Sequence, residues 1–353
     1  MSTQILQAID ETSWRDFVNR HPQGNIFHTP EMFQVFQRAR GFHPQLRAAV
    51  DDGGELLALL LPVRVSLREG VLARLTTRAI AYGSVLCAPG QAGHDALGTL
   101  LRSYGQEPGQ HALFTELRNL ADLTPLQPVL DAHGFVYEDH LNYLIDLSCS
   151  PEQVLGNIGP RTRKRIRRAL RDGKVTVEEI KEPGLIAAGY QLFAKSYAAA
   201  AVPLADRSLF EAAFDVLQPK GMAKFLLARV GDTWVAATAE LPFKDVIYGW
   251  YSGIDRAYSE AMAGELLMWH ILKWGAESGY RTYDFGGAGK PGEPYAVRDF
   301  KAKFGGQLVC FGRNKKVHAP TLLRYSDLSY GIYRRIMKRS DQGGFHGHIG
   351  PLF

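Results

Sequence analysis

The chain has 353 residues, of which 46% are hydrophobic and 22% are charged. This composition is typical of a soluble globular protein, and the length predicts two domains. No apolar run reaches the roughly 20 residues that a membrane-spanning helix needs, and neither end shows a signal segment. We therefore expect a cytoplasmic protein, with peripheral contact at the inner face of the membrane left open.

The net charge of +5 suits polyanionic partners such as nucleotides, phosphates or an anionic membrane surface, although it is mild for a nucleic-acid binder. The three cysteines, Cys87, Cys149 and Cys310, lie far apart without the spacing of metal ligands. We therefore expect reduced thiols and no metal site.

The two halves of the chain repeat one order of predicted elements: a hairpin, a strand, an amphipathic helix and a second strand. The first half places them at 47–65, 79–90, 94–106 and 111–119, and the second half at 226–243, 246–255, 263–279 and 280–287. Agreement of four elements in order favours a divergent duplication over chance matches. The repeated unit is similar to the Gcn5-related acyltransferase (GNAT) fold, a mixed α/β fold in which two parallel strands splay apart and the gap receives an acyl donor.

A strongly basic segment joins the two halves. Ser150 and Gln153 predict a capping box for a short helix, and a second helix begins near Arg161 and stops at Gly173. Seven of the eleven residues 161–171 are Arg or Lys, with a thin apolar seam of Ile166 and Leu170. One interpretation is a contact with phosphate, tRNA or anionic lipid through Arg161, Arg163, Lys164, Arg167 and Arg171. The alternative is a solvated helix whose arginines pair with neighbouring carboxylates.

Three stretches carry a resemblance to the Fem family of peptidoglycan-bridge aminoacyltransferases. They are IDLSCSPEQVLGNIGPRTRKRIRRALRDGKVTVEEI (145–180), WHILKWGAESGYRTYDFGG (269–287) with DFKAKFGG (299–306), and, more loosely, GNIFHTPEMFQVFQRARGF (24–42). The resemblance implies two tandem GNAT-like domains, at 1–152, completed by the tail 318–353, and at 153–317. It further implies transfer of an aminoacyl group from aminoacyl-tRNA, a co-substrate, to an amine of a nucleotide- or lipid-linked peptidoglycan precursor, with no bound cofactor.

The same resemblance suggests site residues. It implies that Lys301 contacts the 3′ end of the tRNA donor and that Phe300 stacks on its terminal base; the alternative is that Phe300 is core and Lys301 pairs with Asp299 or Glu293. Gly286 and Gly287 remove Cβ atoms where a ligand or backbone comes close.

Further candidate residues lie near the glycine-rich segment that begins at Gly286, or far from it in the sequence. Asp284 is a general base, an amine anchor or the cap of the following turn. Tyr248 and Tyr251, three residues apart on a strand, are expected on opposite faces, with Tyr251 lining the pocket. The resemblance adds two residues for precursor phosphates, Arg207 and Arg38, the latter standing where the family often offers a lysine.

The sequence is compatible with three functions. The first is Fem-like aminoacyl transfer in cell-wall biogenesis. The second is acyl-CoA-dependent N-acyl transfer to a nucleotide sugar or polysaccharide intermediate, with acetyl-CoA or another acyl-CoA as donor. The segment DRAYSEAMAGELLM (255–268) keeps only Gly264 of the usual pyrophosphate motif, and Glu260 and Glu265 would repel a diphosphate. The third is a non-enzymatic envelope scaffold that uses 161–171 and a C-terminal helix at 322–339.

Overall fold

A computed structural model describes residues 3–66, 75–106, 112–200 and 202–326. In chain order the strands are β1 (Gln4–Leu6), β2 (Phe42–Pro44), β3 (Arg47–Val50), β4 (Leu56–Leu60), β5 (Val63–Val65), β6 (Arg78–Ala81), β7 (Val85–Cys87), β8 (Phe114–Arg118), β9 (Val136–Glu138), β10 (Leu141–Asp146), β11 (Val175–Glu179), β12 (Lys224–Val230), β13 (Thr233–Phe243), β14 (Val246–Ile254), β15 (Thr282–Gly287), β16 (Gln307–Cys310) and β17 (Arg313–Val317). The α-helices are α1 (Glu11–Arg20), α2 (Pro30–Arg38), α3 (Gln91–Gly105), α4 (Gln127–Ala132), α5 (Pro151–Asn157), α6 (Pro160–Asp172), α7 (Ile186–Ala199), α8 (Arg207–Val216), α9 (Ala263–Glu277) and α10 (Ala296–Ala302).

The described residues divide into two compact units, one of residues 3–139 with 311–326 and the other of residues 140–310. The breaks predicted from the sequence lie later, after residues 152 and 317. Strand pairing explains the difference. β10 pairs with β15 and β16 in the second unit, and β17 pairs with β8 and β9 in the first.

The first unit holds a four-stranded sheet in the order β1-β3-β4-β7 and a six-stranded sheet in the order β2-β5-β6-β8-β17-β9. In the second of these sheets β6 and β8 run parallel. Parallel neighbours need a crossover connection, and α3 provides it by burying Leu97, Leu100 and Leu101 in the core of this unit.

The second unit holds one seven-stranded sheet in the order β11-β12-β13-β14-β15-β10-β16. Its parallel pair is β14 with β15, and the crossover is α9, whose Leu266, Ile271 and Leu272 pack into the core of this unit. Each unit therefore has antiparallel strands, then a strand, a crossover helix and a parallel strand. This shared order confirms the predicted mixed α/β class and the predicted tandem arrangement.

The chain returns to the first unit at residue 311, and the residues after β17 stay in that unit. His318 Nε2 lies 2.7 Å from Thr115 Oγ1, and the Ala319 N–H donates to the Leu113 carbonyl at 3.1 Å. Most of the helix predicted at 322–339 lies outside the described residues. Within the described ranges, no helix combines the length and apolar character needed to cross a membrane.

Candidate active site

A splay between two parallel strands forms the centre of the second unit. β14 and β15 pair over three residues only, from Val246–Tyr248 with Thr282–Asp284. Beyond them β14 continues against β13 as far as Ile254, while β15 continues against β10 as far as Gly287. The strands therefore part just after Tyr248 and Asp284. Backbone groups that a neighbouring strand would satisfy need other partners there.

Lys301, on α10, supplies those partners to β15. Its Nζ donates to the carbonyls of Phe285 at 2.5 Å, Gly287 at 2.7 Å and Gly286 at 3.3 Å. The residue is 4% exposed, so the ammonium is taken out of water with all three N–H bonds engaged. Burial lowers the pKa of Lys301 to about 7, against the opposing effect of Asp284.

Asp284 is likewise only 4% exposed and lies on β15 at the point of divergence. It accepts the Gly286 N–H at 2.7 Å, and the Asn142 amide nitrogen lies 3.5 Å from each carboxyl oxygen. Burial raises the pKa of Asp284 to about 6, and the Gly286 bond and Lys301 limit the rise. Asp284 thus caps the turn, and its pKa also suits a general base near neutral pH.

A second cation on α10 holds the glycine-rich loop. Arg298, one helical turn before Lys301, donates to the carbonyls of Ala288 at 2.7 Å, Lys290 at 2.5 Å and Glu293 at 3.1 Å. Two side chains of one short helix thus bind six carbonyls between residues 285 and 293, and this fixes the loop against α10. Arg298 was not among the predicted site residues, although residues three apart on a helix, such as Arg298 and Lys301, lie on the same face.

Two glycines at the splay, Gly286 on β15 and Gly249 on β14, are needed for different reasons. Gly286 has φ +69°, and a Cβ there would lie 3.2 Å from the Tyr248 hydroxyl. On β14, a Cβ at Gly249 would lie 2.5 Å from the Tyr283 hydroxyl. The first glycine permits a left-handed turn, and the second leaves room for a phenol.

That phenol belongs to a buried polar chain beneath the splay. Tyr283 donates to Oε2 of Glu240 at 3.0 Å, and Thr238 Oγ1 lies 2.5 Å from Oε1 of Glu240 and 3.0 Å from the Tyr251 carbonyl. Thr238 has one hydroxyl proton and cannot donate to both oxygens. A protonated Glu240 satisfies every group, because it donates to Thr238 while Thr238 donates to the carbonyl.

The environment of Glu240 agrees with a neutral acid. It is 0% exposed, and its described partners are hydroxyl groups rather than cations. Burial raises its pKa to about 8, which agrees with a Glu240 that keeps its proton and donates it to Thr238. Glu240 was not among the predicted site residues, because its partner Tyr283 comes from a strand 43 residues further along the chain.

The expected orientation of the two tyrosines on β14 is wrong. The register slips between Ala239 and Glu240, which pair with Tyr251 and Gly249, so Trp250 forms a bulge. An extra residue turns the next side chain over and places Tyr251 on the same face as Tyr248. Tyr251 is 5% exposed and packs edge-on against Phe210 at 4.6 Å, so it belongs to the core on this face.

The alternatives considered for Phe300 and Lys301 are resolved differently. Lys301 binds backbone carbonyls rather than Asp299 or Glu293. Phe300 is partly buried, 5.3 Å from Phe304, and it packs against the core of the second unit.

Two of the remaining predicted residues, Arg207 and Arg38, lie on exposed surfaces, and Gly287 is half-buried. Arg207, the first residue of α8, pairs with Glu211 at 2.8 Å. Arg38 is exposed in the last turn of α2, in the first unit. Gly287 lies at the end of β15 and offers its carbonyl to Lys301. Within the described ranges, no group of three or more His, Cys, Asp or Glu side chains could hold a metal ion.

Comparisons with known proteins agree with this architecture. Residues 160–301 match the family described as Acetyltransferase (GNAT) domain. The crystal structure of FemX is similar over 92% of this chain and 99% of its own, with a TM-score of 0.70 and 15% identity. L-PGS from Bacillus licheniformis has a TM-score of 0.55 at 13% identity, covering 90% of this chain and 96% of its own. A tandem GNAT protein from the clavulanic acid biosynthesis pathway has a TM-score of 0.52 at 10% identity, covering 90% and 98%.

No curated protein matches the sequence. At these identities the structural likeness establishes the fold, and the family match covers the unit that holds Asp284 and Lys301. The resemblance to FemX is thus one of fold, and the chain is an acyltransferase built on a tandem GNAT-like architecture.

Proposed function

We propose that the chain transfers an aminoacyl group from aminoacyl-tRNA to an amine of a peptidoglycan precursor. The observation that carries the proposal is the buried pair of Asp284 and Lys301 at the divergence of β14 and β15. Their pKa values of about 6 and about 7 are suited to moving a proton near neutral pH.

The reaction needs few groups because the aminoacyl ester is already activated. The amine attacks the ester carbonyl, a C–N bond forms, and the C–O bond to the ribose breaks. In this proposal the Asp284 carboxylate accepts the proton that the amine loses. The Lys301 ammonium donates a proton to the departing ribose oxygen, so charge balances over the two residues. Alignment of the reactants in the splay can supply roughly 7–11 kcal/mol of the barrier.

The fixed loop supports this assignment of roles. Lys301 keeps its three carbonyl partners only when it is protonated, because a neutral amine has two N–H bonds. Loss of its proton would release one carbonyl of residues 285–287. Chemistry at Lys301 would therefore be coupled to the conformation of the loop beside the substrate.

Acyl-CoA-dependent N-acyl transfer is the second candidate, and one observation favours it. α9 starts directly after Met262, which has φ +62°, and no side chain caps its first turn. Uncapped N–H groups at a helix start bind phosphate well. Against this, Glu265 lies in the first turn of α9 and would oppose a diphosphate.

The test offers both donors to the same enzyme. Purified protein is incubated with charged total tRNA or with acetyl-CoA, plus the nucleotide-linked precursor or its lipid-linked form, and products are identified by mass spectrometry. We expect an aminoacyl mass increment with tRNA and none with acetyl-CoA. Acetylation, together with saturable one-to-one binding of acetyl-CoA in calorimetry, would replace the proposal by the second candidate.

Matched variants connect the product to the site. Asp284→Asn should abolish product formation, as should Lys301→Met. Lys303→Met is the control, because Lys303 lies two residues away at the end of the same helix and is exposed. Equal loss in all three variants would point to a general effect of charge near α10 instead of to the proposed roles.

A further inference from the structure

Helix α6 lies on the second unit with one face buried and the other in solvent. Pro160 occupies its first turn, and Gly173, at φ +61°, ends it. Thr162 and Ile166 are buried, and Ile166 belongs to the core of the unit. Leu170, expected in the apolar seam, is instead 54% exposed. The fixed side of the helix therefore leaves an outward face that carries one apolar side chain among cations.

Among the residues that the structure describes, most charges on this outward face have no acidic partner. Within the described ranges, the ion pair made by α6 is the one between Arg168 and Asp172, at 3.6 Å. Arg163 donates to the Gly156 carbonyl. Five exposed cations remain without a described ion pair: Arg161, Lys164, Arg165, Arg167 and Arg171. The alternative in which the arginines pair with neighbouring carboxylates thus holds for Arg168 alone.

The nearest acidic strand does not neutralise them. On β11, which follows α6, Glu178 pairs with Arg229 at 2.7 Å and Glu179 pairs with Lys224. Lys174, between α6 and β11, is exposed and adds to the positive charge. The unit therefore presents a concentrated positive surface roughly 20 Å long, the length of a 13-residue helix.

We propose that this face of α6, defined by Lys164, Arg167, Leu170 and Arg171, docks the protein on an anionic lipid bilayer. Arginine and lysine side chains reach lipid phosphates, and Leu170 enters the boundary between headgroups and acyl chains. This contact is independent of the transfer reaction.

Two features favour a bilayer over RNA. α6 has no aromatic side chain, so it offers no surface on which bases could stack. The exposed Leu170, which shares this face with Arg167 and Arg171, gains from leaving water at a lipid interface, whereas RNA phosphates give it no comparable gain.

Vesicle sedimentation tests the proposal with the full-length protein. Vesicles of phosphatidylcholine with 30% phosphatidylglycerol are compared with pure phosphatidylcholine at low and at physiological salt. We expect binding to the anionic vesicles alone, weakened by salt. Replacement of Lys164, Arg167 and Arg171 by Gln should lower the partition coefficient about fivefold per residue, or roughly 100-fold together. Leu170→Asp should weaken binding by more than its added negative charge explains, because the apolar contact of Leu170 is lost as well.

A charge-matched control separates this face from net charge. Replacement of the exposed Arg20, Arg102 and Arg256 by Gln removes the same charge elsewhere and should leave binding nearly unchanged. Circular dichroism checks that each variant is folded. An equal loss in both triple variants would overturn the proposal, as would no binding to anionic vesicles. A gel shift with total tRNA that depends on the same three residues, without vesicle binding, would assign the face to RNA instead.

Discussion

Replacing Glu240 by Gln tests whether a neutral acid is built into the second unit. The folded-state pKa of about 8 lies above the ordinary value of 4.5, so the folded protein binds more protons than the unfolded chain between these values. Stability from Glu240 is therefore fully present below pH 4.5 and is lost as the pH rises through about 8. Between pH 5 and pH 7 the loss amounts to roughly 3 kcal/mol, at 1.36 kcal/mol per pH unit.

The glutamine variant should not show this loss. Its amide nitrogen can donate to Thr238, and its oxygen can accept from Tyr283, so the polar chain stays satisfied at every pH. The difference in unfolding free energy between the two proteins cancels the other titrating groups. We expect the wild type to lose roughly 5–10 °C in melting temperature relative to the variant between pH 5 and pH 7.

Calorimetric melts at half-unit pH intervals provide the measurement. At pH 6.5 the infrared difference spectrum, wild type minus variant, should show the carbonyl stretch of an un-ionised carboxylic acid, because any contribution of Asp284 is common to both proteins. If the melting temperatures of the two proteins change equally with pH over this range, Glu240 is not protonated and the hydrogen-bond pattern deduced from Thr238 is wrong.

Three other predictions concern the splay. The pH profile of kcat should be bell-shaped, with apparent pKa values near 6 and 7 that belong to the coupled pair, and a rate that does not change between about pH 5 and about pH 8 would contradict the roles of Asp284 and Lys301. Lys301→Met should abolish transfer and also lower stability by several kcal/mol, because it leaves up to three carbonyls without their donor; unchanged stability would contradict the geometry. Gly249→Ala should lower the melting temperature by displacing Tyr283, whereas Gly156→Ala, which meets nothing within 4 Å, should not; equal effects would count against the close approach.

Local patterns predicted much of the architecture. The capping box of Ser150 and Gln153 is present, and the basic helix predicted from Arg161 to Gly173 is observed at Pro160–Asp172. The repeated order of elements correctly predicted two parallel strand pairs with crossover helices. These features depend on short-range spacing, turn residues and hydrophobic periodicity, and each of these can be recognised within one short segment of the sequence.

The details of the site depended on contacts that no local pattern contains. The bulge at Trp250 reversed the expected direction of Tyr251, and bulges leave no clear signal in an apolar strand. Lys301 was placed correctly beside the glycine-rich loop, but its burial and its three carbonyl partners follow from how α10 folds back on β15. Its expected exposure to a donor phosphate assumed a surface lysine, whereas the structure withdraws it from solvent.

The duplication also explains why we assign the chemistry to the second unit. Tyr82-Gly83 corresponds in the repeat to Tyr248-Gly249. Because β6 pairs with β8 through Ala81 and Leu117, the residue that follows on β8, Arg118, corresponds to Asp284. Its guanidinium lies over the Tyr82 ring at 5.2 Å.

The neighbouring carboxylate does not replace the lost acid. Burial alone would raise the pKa of Glu116, but Arg313 and Arg118 outweigh burial and lower it to about 2. A carboxylate whose pKa lies so far below neutral pH is a poor base, because it stays ionised and accepts a proton weakly. The two halves share a fold, yet only the splay of the second unit, among the described residues, combines an acid of raised pKa with a lysine of lowered pKa. Groups whose pKa values lie near neutral pH are suited to proton transfer, and this is why we place the proposed chemistry in the second unit.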